Sequence, residues 1–257
     1  MTRDGNTILI TGAGSGIGRA LAHRFHDLGN TVIVAGRRRK AVEETVAGRE
    51  RMRAATLDVD DADAIGRFAE EITVAHPALN VLINNAGVMR MEDIAAPRDL
   101  RAAEETVTTN LLGPIRLTDA LIGHLTSQPN AAIVNVTSGL AFVPLVGAAT
   151  YSATKAAIHS YTVSLREALK GRVEVIELVP PAVQTDLTPG QATRTGYMPL
   201  DAYIGEVMDL FARTPTPPEI LVERVEMLRG AEAHGQFDLT LTTLNAFAAQ
   251  ARAAQSG

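Results

Sequence analysis

The stretch Thr11-Gly-Ala-Gly-Ser-Gly-Ile-Gly18 follows directly on the β-branched run 7–11 (TILIT) and precedes a helix-length segment at about 17–29. Four of the seven residues 12–18 are glycine. Glycine loses more backbone freedom on folding than any other residue, so such density needs a reason. One reading is a tight strand-to-helix turn whose backbone N–H groups approach a pyrophosphate at the helix N-terminus. The other is an ordinary glycine-rich turn. The pattern is Gly12-x-x-x-Gly16-x-Gly18, a variant of the common dinucleotide fingerprint, and its place in a first β-α-β unit favours nucleotide binding.

Outward from this turn the chain alternates short apolar runs with helix-length segments. Strands are predicted at 31–35 (TVIVA), 54–58 (AATLD), 80–84 (NVLIN), 131–137 (AAIVNVT) and 173–179 (VEVIELV). They are dense in Val, Ile and Leu rather than strictly alternating, which suits strands covered on both faces. Helices are predicted at about 17–29, 40–52, 61–75, 100–127 and 151–170. The repeated order implies an α/β fold, a Rossmann-type doubly wound parallel sheet with helices on both faces. Further on, 185–199 reads as loop, 202–213 and 217–230 as helices, and 236–254 carries mixed signals. The expectation is a single domain over 1–257, with 186–230 as a lid or cap.

The second strand ends in Gly36-Arg-Arg-Arg-Lys40, without the carboxylate that would bind a ribose 2′-hydroxyl about twenty residues after such a turn. Gly36 leaves room, and guanidiniums clamp a 2′-phosphate through charge-assisted hydrogen bonds. A solvated basic helix start is the alternative, but cations there oppose the helix dipole. NADP(H) is therefore the expected cofactor, with Arg37 and Arg38 as its contacts.

Tyr151-Ser-Ala-Thr-Lys155 falls on a predicted helix, which stacks Tyr151 and Lys155 one turn apart on the same face. With four Tyr and three Lys in 257 residues, roughly 0.05 such pairs are expected by chance. A phenol has an unperturbed pKa of about 10 and needs help to exchange a proton near neutrality. An adjacent ammonium favours the phenolate. Ser138 follows the strand 131–137, where parallel sheets bind ligands, and can donate a hydrogen bond to a substrate carbonyl.

These features, with Asp58-Val59, Asn84-Asn-Ala-Gly87, Asn110 in TNLLG and Pro180-Pro-Ala-Val-Gln-Thr185, resemble the short-chain dehydrogenase/reductase superfamily over residues 5–190, in its short single-domain branch. The tail and the GRR ending of the second strand are similar to the DltE-like branch. The resemblance implies that Tyr151 is the general acid for carbonyl reduction and the base for alcohol oxidation. It implies that Lys155 lowers the phenol's pKa and holds the ribose hydroxyls, and that Ser138 orients the carbonyl. Asn110 would bend its helix and anchor a relay water. The turn residues Gly12, Ser15, Gly16, Ile17 and Gly18 would meet the cofactor. Asp58 and Val59 would meet its adenine, and Asn85, Ala86 and Gly87 would line it. Pro181 stands where the family has Gly, while Val183 and Thr185 match positions that grip the carboxamide. A glycine-rich segment announcing a seventh strand is missing, so that strand is left open, as is the choice between homodimer and homotetramer. Helices 100–127 and 151–170 are the expected dimer face.

A substrate pocket is expected from 88–91, 139–145, Tyr151 and 182–203. Its Met89, Met91, Leu140, Phe142, Val143, Leu145 and Met198, with few charges besides Arg90 and Arg194, suit a small apolar ketone, aldehyde or secondary alcohol. Composition excludes other classes. No Cys is present, which removes disulfides, thiolate metal sites and a Cys nucleophile. The six His show no metal-ligand spacing, so no metal is expected. No Ser lies in a G-x-S-x-G elbow. A net charge of −5 argues against nucleic acid, and the apolar runs are too short to span a membrane. A cytoplasmic location is the default expectation. The rival to an NADP(H)-dependent oxidoreductase is a non-catalytic nucleotide sensor on the same fold. Ser138, Tyr151 and Lys155 would have no reason to persist together there.

Overall fold

The computed structural model describes residues 1–253, with side chains through residue 250. Its first half runs β1 (Thr7–Thr11), α1 (Gly16–Asp27), β2 (Thr31–Gly36), α2 (Arg39–Val46), β3 (Met52–Thr56), α3 (Ala62–Ala75) and β4 (Leu79–Asn84). Then come α4 (Arg101–Val107), α5 (Gly113–Thr126), β5 (Ala132–Val136), α6 (Ala149–Ala168) and β6 (Glu174–Val179). The chain closes with α7 (Leu200–Phe211), β7 (Glu219–Leu221), α8 (Glu223–Arg229) and α9 (Phe237–Ala253).

The strands form one parallel sheet in the order β3-β2-β1-β4-β5-β6-β7. Every residue of β4 and β5 is buried, as their continuous apolar character requires of central strands. One sheet face packs Ile8, Ile10, Val32 and Val34 against Leu21, Ala22 and Phe25 of α1. The other packs Leu9, Ile33, Leu82 and Ile133 against Phe68 of α3 and Leu117, Leu121 and Leu125 of α5. Strand order reverses between β1 and β4, and the carboxyl ends of strands diverging there open a crevice for ligands.

Several elements differ from the sequence-based expectation, among them the helix expected at 40–52, which ends at Val46, and β3, which spans Met52–Thr56 rather than 54–58. The stretch 217–230 is not one helix. Glu219–Leu221 pairs in parallel with β6, in the register Glu177↔Glu219, Leu178↔Ile220 and Val179↔Leu221, and supplies the seventh strand. Pro217 and Pro218 explain this. A proline pushes the residue before it out of helical backbone space, and Pro218 O accepts from Glu177 N at 2.9 Å to start the ladder. The mixed stretch 236–254 is helical as α9 through Ala253, and Ala254 lies outside the described residues. Phe237, Leu241 and Leu244 form its packed stripe against Val143, Leu228 and Ala231. Leu239 points outward at 69% exposure, which blurs the period in the sequence. Finally, the helix expected at 100–127 is α4 and α5 joined by a π-helical turn, Thr108–Leu112, centred on Asn110.

Within 186–230, α7 lies on α1, with Phe211 edge-on to Phe25 at 5.6 Å, and Tyr203 is completely buried. The loop between β6 and α7 is the part that borders the crevice, through Asp186, Leu187 and Gln191.

Candidate active site

The glycine turn is shaped first by its neighbours. At Gly12, with φ +65°, a Cβ would sit 2.7 Å from the Ala86 Cα, and at Gly18 one would meet the Asn85 amide at 2.4 Å. No side chain fits either place. The Asn85 amide donates to Thr11 O at 2.9 Å, and the Thr11 hydroxyl accepts from Asn85 N and Ala86 N at 3.1 Å each. The tail of β4 is thus sewn to the tail of β1, and the first turn of α1 faces a cleft of about 460 Å³.

The cleft gathers most of the residues singled out in the sequence. Gly12, Ser15, Gly16, Ile17 and Gly18 line it at the turn, with Asn85, Ala86 and Gly87 beside them. Arg37, Arg38 and Val59 border the end near β2, and Pro181, Val183 and Thr185 enter from the β6 side. Ser138, Tyr151 and Lys155 line it as well. Two candidates do not. Asp58 turns its carboxylate to Asp60 N at 3.1 Å and to Arg37 at 3.9 Å. Asn110 is buried, and its amide brackets Val88 by accepting from N and donating to O, both at 2.8 Å. A second donation reaches the Thr154 hydroxyl at 3.3 Å.

The two arginines differ in how they are held. Arg37 reaches Asp60 at 3.2 Å, whereas Arg38 donates to the Ser15 hydroxyl at 3.4 Å. No acidic residue occupies the first turn of α2. Glycine N–H groups at the start of α1 with an arginine edge beside them fit a phosphorylated dinucleotide.

At the other end, β5 runs out into Ser138, whose backbone is extended and whose hydroxyl accepts from Leu140 N at 3.1 Å. Thr137 N and Gly139 N donate to Leu178 O and Pro180 O, both at 2.9 Å, so Ser138 is anchored to the β6 side on both flanks. Helix α6 brings Tyr151 and Lys155 opposite. Burial pushes the Tyr151 phenol up to about 12, and the neighbouring Ser138 side chain only partly opposes this. Lys155 Nζ donates to Val136 O at 2.8 Å and lies 5.6 Å from the centre of the Tyr151 ring. Burial lowers its pKa to about 8. Desolvation is the leading cause of both shifts, and the phenol is protonated at neutral pH.

Other contributors carry no short motif. Glu92, in the segment after β4, accepts from Thr150 N and from the Thr150 hydroxyl (2.9 Å), capping α6 one residue before Tyr151. Arg98 holds that carboxylate at 2.8 Å. Thr109 lines the cleft and donates to Asp60 at 2.6 Å. Met89, Leu140 and Leu145 pack around Tyr151 with Ala248 of α9. Of the expected pocket, Val143 and Met198 are instead buried in core clusters, Phe142 packs against the core, and Met91 is 48% exposed. Among the described residues no group of three His, Asp or Glu could hold a metal ion, and no helix is long and apolar enough to cross a membrane.

The fold and this cleft define a class of protein, and the chain belongs to the short-chain dehydrogenase/reductase family of oxidoreductases: the short chain dehydrogenase family model matches residues 6–195. It is similar to the uncharacterized oxidoreductase DltE of Bacillus subtilis (strain 168), with 38% identity over 237 residues, 90% of this chain and 93% of that one. Sulfoacetaldehyde reductase 2 of Chromohalobacter salexigens is 33% identical over 90% of this chain and 96% of its own. Among solved structures, a short chain dehydrogenase from Burkholderia cenocepacia J2315 in complex with NADP superposes with a TM-score of 0.79 and 26% identity. That match covers 93% of this chain and 98% of the other.

Proposed function

We propose that this chain is an NADP(H)-dependent oxidoreductase that interconverts a small, largely apolar ketone or aldehyde and the matching alcohol. The observation that carries the reading is the meeting of Ser138, Tyr151 and Lys155 in the same cleft as the glycine turn and Arg38. In this reading the turn residues Gly12 to Gly18, with Asn85 to Gly87, Val59, Pro181, Val183 and Thr185, hold the cofactor, and Arg37 and Arg38 meet its 2′-phosphate. The bound nicotinamide supplies or accepts the hydride. Ser138 donates a hydrogen bond to the substrate carbonyl oxygen, polarising it. Tyr151, a protonated phenol at neutral pH, gives that oxygen its proton in reduction and takes it back in oxidation. Lys155, cationic below about 8, stabilises the phenolate that results. Asn110, held at the π-helical turn, anchors a water for proton exchange. Met89, Leu140 and Leu145 beside Tyr151 favour an apolar substrate, and the loop 186–199 serves as its flap.

The test follows the absorbance of NADPH against butyraldehyde, cyclohexanone, 2,3-butanedione and sulfoacetaldehyde, with NADH in parallel. Turnover of at least one carbonyl, faster with NADPH, is expected. Tyr151→Phe should lower kcat by about a thousandfold and leave the NADPH Kd within a few-fold. Full activity in that variant removes the assignment, and equal use of NADH removes the cofactor choice. A non-catalytic sensor would bind NADPH and turn over none of the four.

A further inference from the structure

Strand β6 carries two glutamates, Glu174 at its partly exposed start and Glu177 within its buried run. Glu177 is completely buried, flanked in sequence by Ile176 and Leu178, which are also fully buried. An isolated buried carboxylate is costly, so its partners define its role. One oxygen accepts from the Thr137 hydroxyl at 2.8 Å, and the other meets His159 Nδ1 at 2.8 Å. Thr137 immediately precedes Ser138. His159 lies one helical turn beyond Lys155 and two beyond Tyr151 on α6, on the same face. A single side chain therefore ties the strand end bearing Ser138 to the helix bearing Tyr151 and Lys155.

The surroundings hold this link in place. The His159 ring stands edge-on to Phe142 at 4.8 Å, and the Arg229 guanidinium of α8 lies over the Phe142 ring at 4.7 Å. Arg229 in turn grips Glu219 of β7 with two hydrogen bonds, at 2.7 and 3.0 Å. Arg166 of α6 donates to Val175 O and Pro218 O at 2.8 Å each, closing the far side. Glu177 does not itself line the cleft, although its partner Thr137 does.

We propose that Glu177 is a positioning residue for the reaction, holding Thr137 and His159 so that Ser138 and the Tyr151–Lys155 face of α6 keep one mutual placement. The proposal rests on the roles given above to Ser138 and Tyr151. Hydrogen bonds are directional, so a bridge of two short ones fixes distance and azimuth in a way that apolar packing does not. In reduction the carbonyl oxygen must receive a hydrogen bond from Ser138 and a proton from Tyr151 at once, and small misplacements are expensive in rate.

The experiment is a double-mutant cycle, using whichever of butyraldehyde, cyclohexanone, 2,3-butanedione or sulfoacetaldehyde the wild-type protein reduces fastest with NADPH. Thr137→Val keeps the side-chain shape and removes the hydroxyl. It should lower kcat about tenfold and leave the NADPH Kd within twofold. In a Ser138→Ala background the same change should cost less than twofold, because the group it places is gone. Glu177→Leu should show the same dependence on Ser138. Glu177→Gln, whose amide still accepts from Thr137 and donates to His159, should restore kcat to within about threefold of wild type. Should Glu177→Leu fail to fold, the Thr137→Val cycle stands by itself. Equal losses from Thr137→Val with and without Ser138, or no loss in the wild-type background, overturn the proposal while leaving the active-site reading intact. Full activity in Ser138→Ala and Tyr151→Phe overturns that reading, and this proposal with it.

Discussion

Helices α1 and α6 do related jobs on opposite ends of the cleft, and they are fastened to the sheet by different means. Helix α1 buries Gly18, Leu21, Ala22 and Phe25, and its grip on the sheet is apolar, reinforced by the Phe25–Phe211 edge contact. Its Arg19 and His23 make polar contacts with Thr45 of α2, at 3.1 and 2.9 Å, rather than with the sheet. Helix α6 turns a polar stripe inward. Lys155 donates to Val136 O, His159 meets Glu177, Thr162 accepts from Asn135 at 2.9 Å, and Arg166 donates to Val175 O. The difference matches what each helix presents. Only backbone N–H groups at its first turn are asked of α1, and these point along the axis whatever the helix's rotation. Two side chains must be presented by α6 at a fixed azimuth, and apolar contact alone is non-directional. Polar mooring thus specifies rotation where apolar mooring specifies burial.

The comparison is broken most directly by stability. Phe25→Ala empties part of the α1 core and should cost about 3–5 kcal/mol. Thr162→Val keeps the volume on α6 but deprives the buried Asn135 amide of its acceptor, for about 1–3 kcal/mol. Denaturant unfolding of both variants measures the two. If Thr162→Val proves the more damaging, polar contacts contribute cohesion as well as orientation, and the two helices are not held by different means.

A second, smaller effect comes from Lys155, which burial holds at about 8 in the folded chain against about 10.4 when unfolded. The unfolded chain therefore binds the proton more tightly. Below about 8 the buried ammonium destabilises the fold by its full amount, on the order of 3 kcal/mol. As pH rises from about 8 towards 10.4 that penalty fades, so the wild-type protein gains stability relative to Lys155→Met across this window. Tyr151, held near 12 by burial, stays protonated throughout. Reduction should accordingly be flat below about 8 and decline above it as the cation is lost. Melting curves and a pH–rate profile check the pair. A stability difference independent of pH between 7 and 10 contradicts the assignment.

The sequence displayed the α1 end better than the α6 end, for a physical reason. A glycine turn between a strand and a helix leaves a local pattern, and β1 came out at its full observed extent, Thr7–Thr11. Tyr151 and Lys155 were legible because helix geometry alone pairs residues four apart. The bridge Thr137–Glu177–His159 was not, since its members come from three elements that only the folded sheet brings together. The sequence signal is two Glu, Glu174 and Glu177, in the otherwise apolar run VEVIELV, and nothing local tells the partly exposed one from the buried one. Glu92 was hidden likewise, because its partner Thr150 lies 58 residues on. Strand β7 was masked by Pro217 and Pro218, which serve equally well as a helix start and as an extended lead-in.

The smallest expected effect lies at the cofactor end and sharpens the contrast through salt. Arg37 and Arg38 are both exposed, and Arg37 already faces Asp58 and Asp60, so part of its charge is answered within the chain. Arg38 instead donates to the neutral Ser15 hydroxyl at 3.4 Å. Arg38→Ala should therefore raise the NADPH Kd by several-fold to about tenfold, more than Arg37→Ala, while the NADH Kd stays within twofold. Exposed charges are screened over about 10 Å at 0.1 M salt, so the NADPH effect should shrink as salt rises. The kcat loss from Thr137→Val, made among buried groups, should not. Fluorescence titrations of both cofactors at 0.02 and 0.5 M NaCl read this out. An Arg38→Ala effect that is equal for NADH and NADPH, or unchanged by salt, means the arginine acts through the packing of the turn rather than through a phosphate, and the apolar end of the molecule would then position its ligand much as the polar end does.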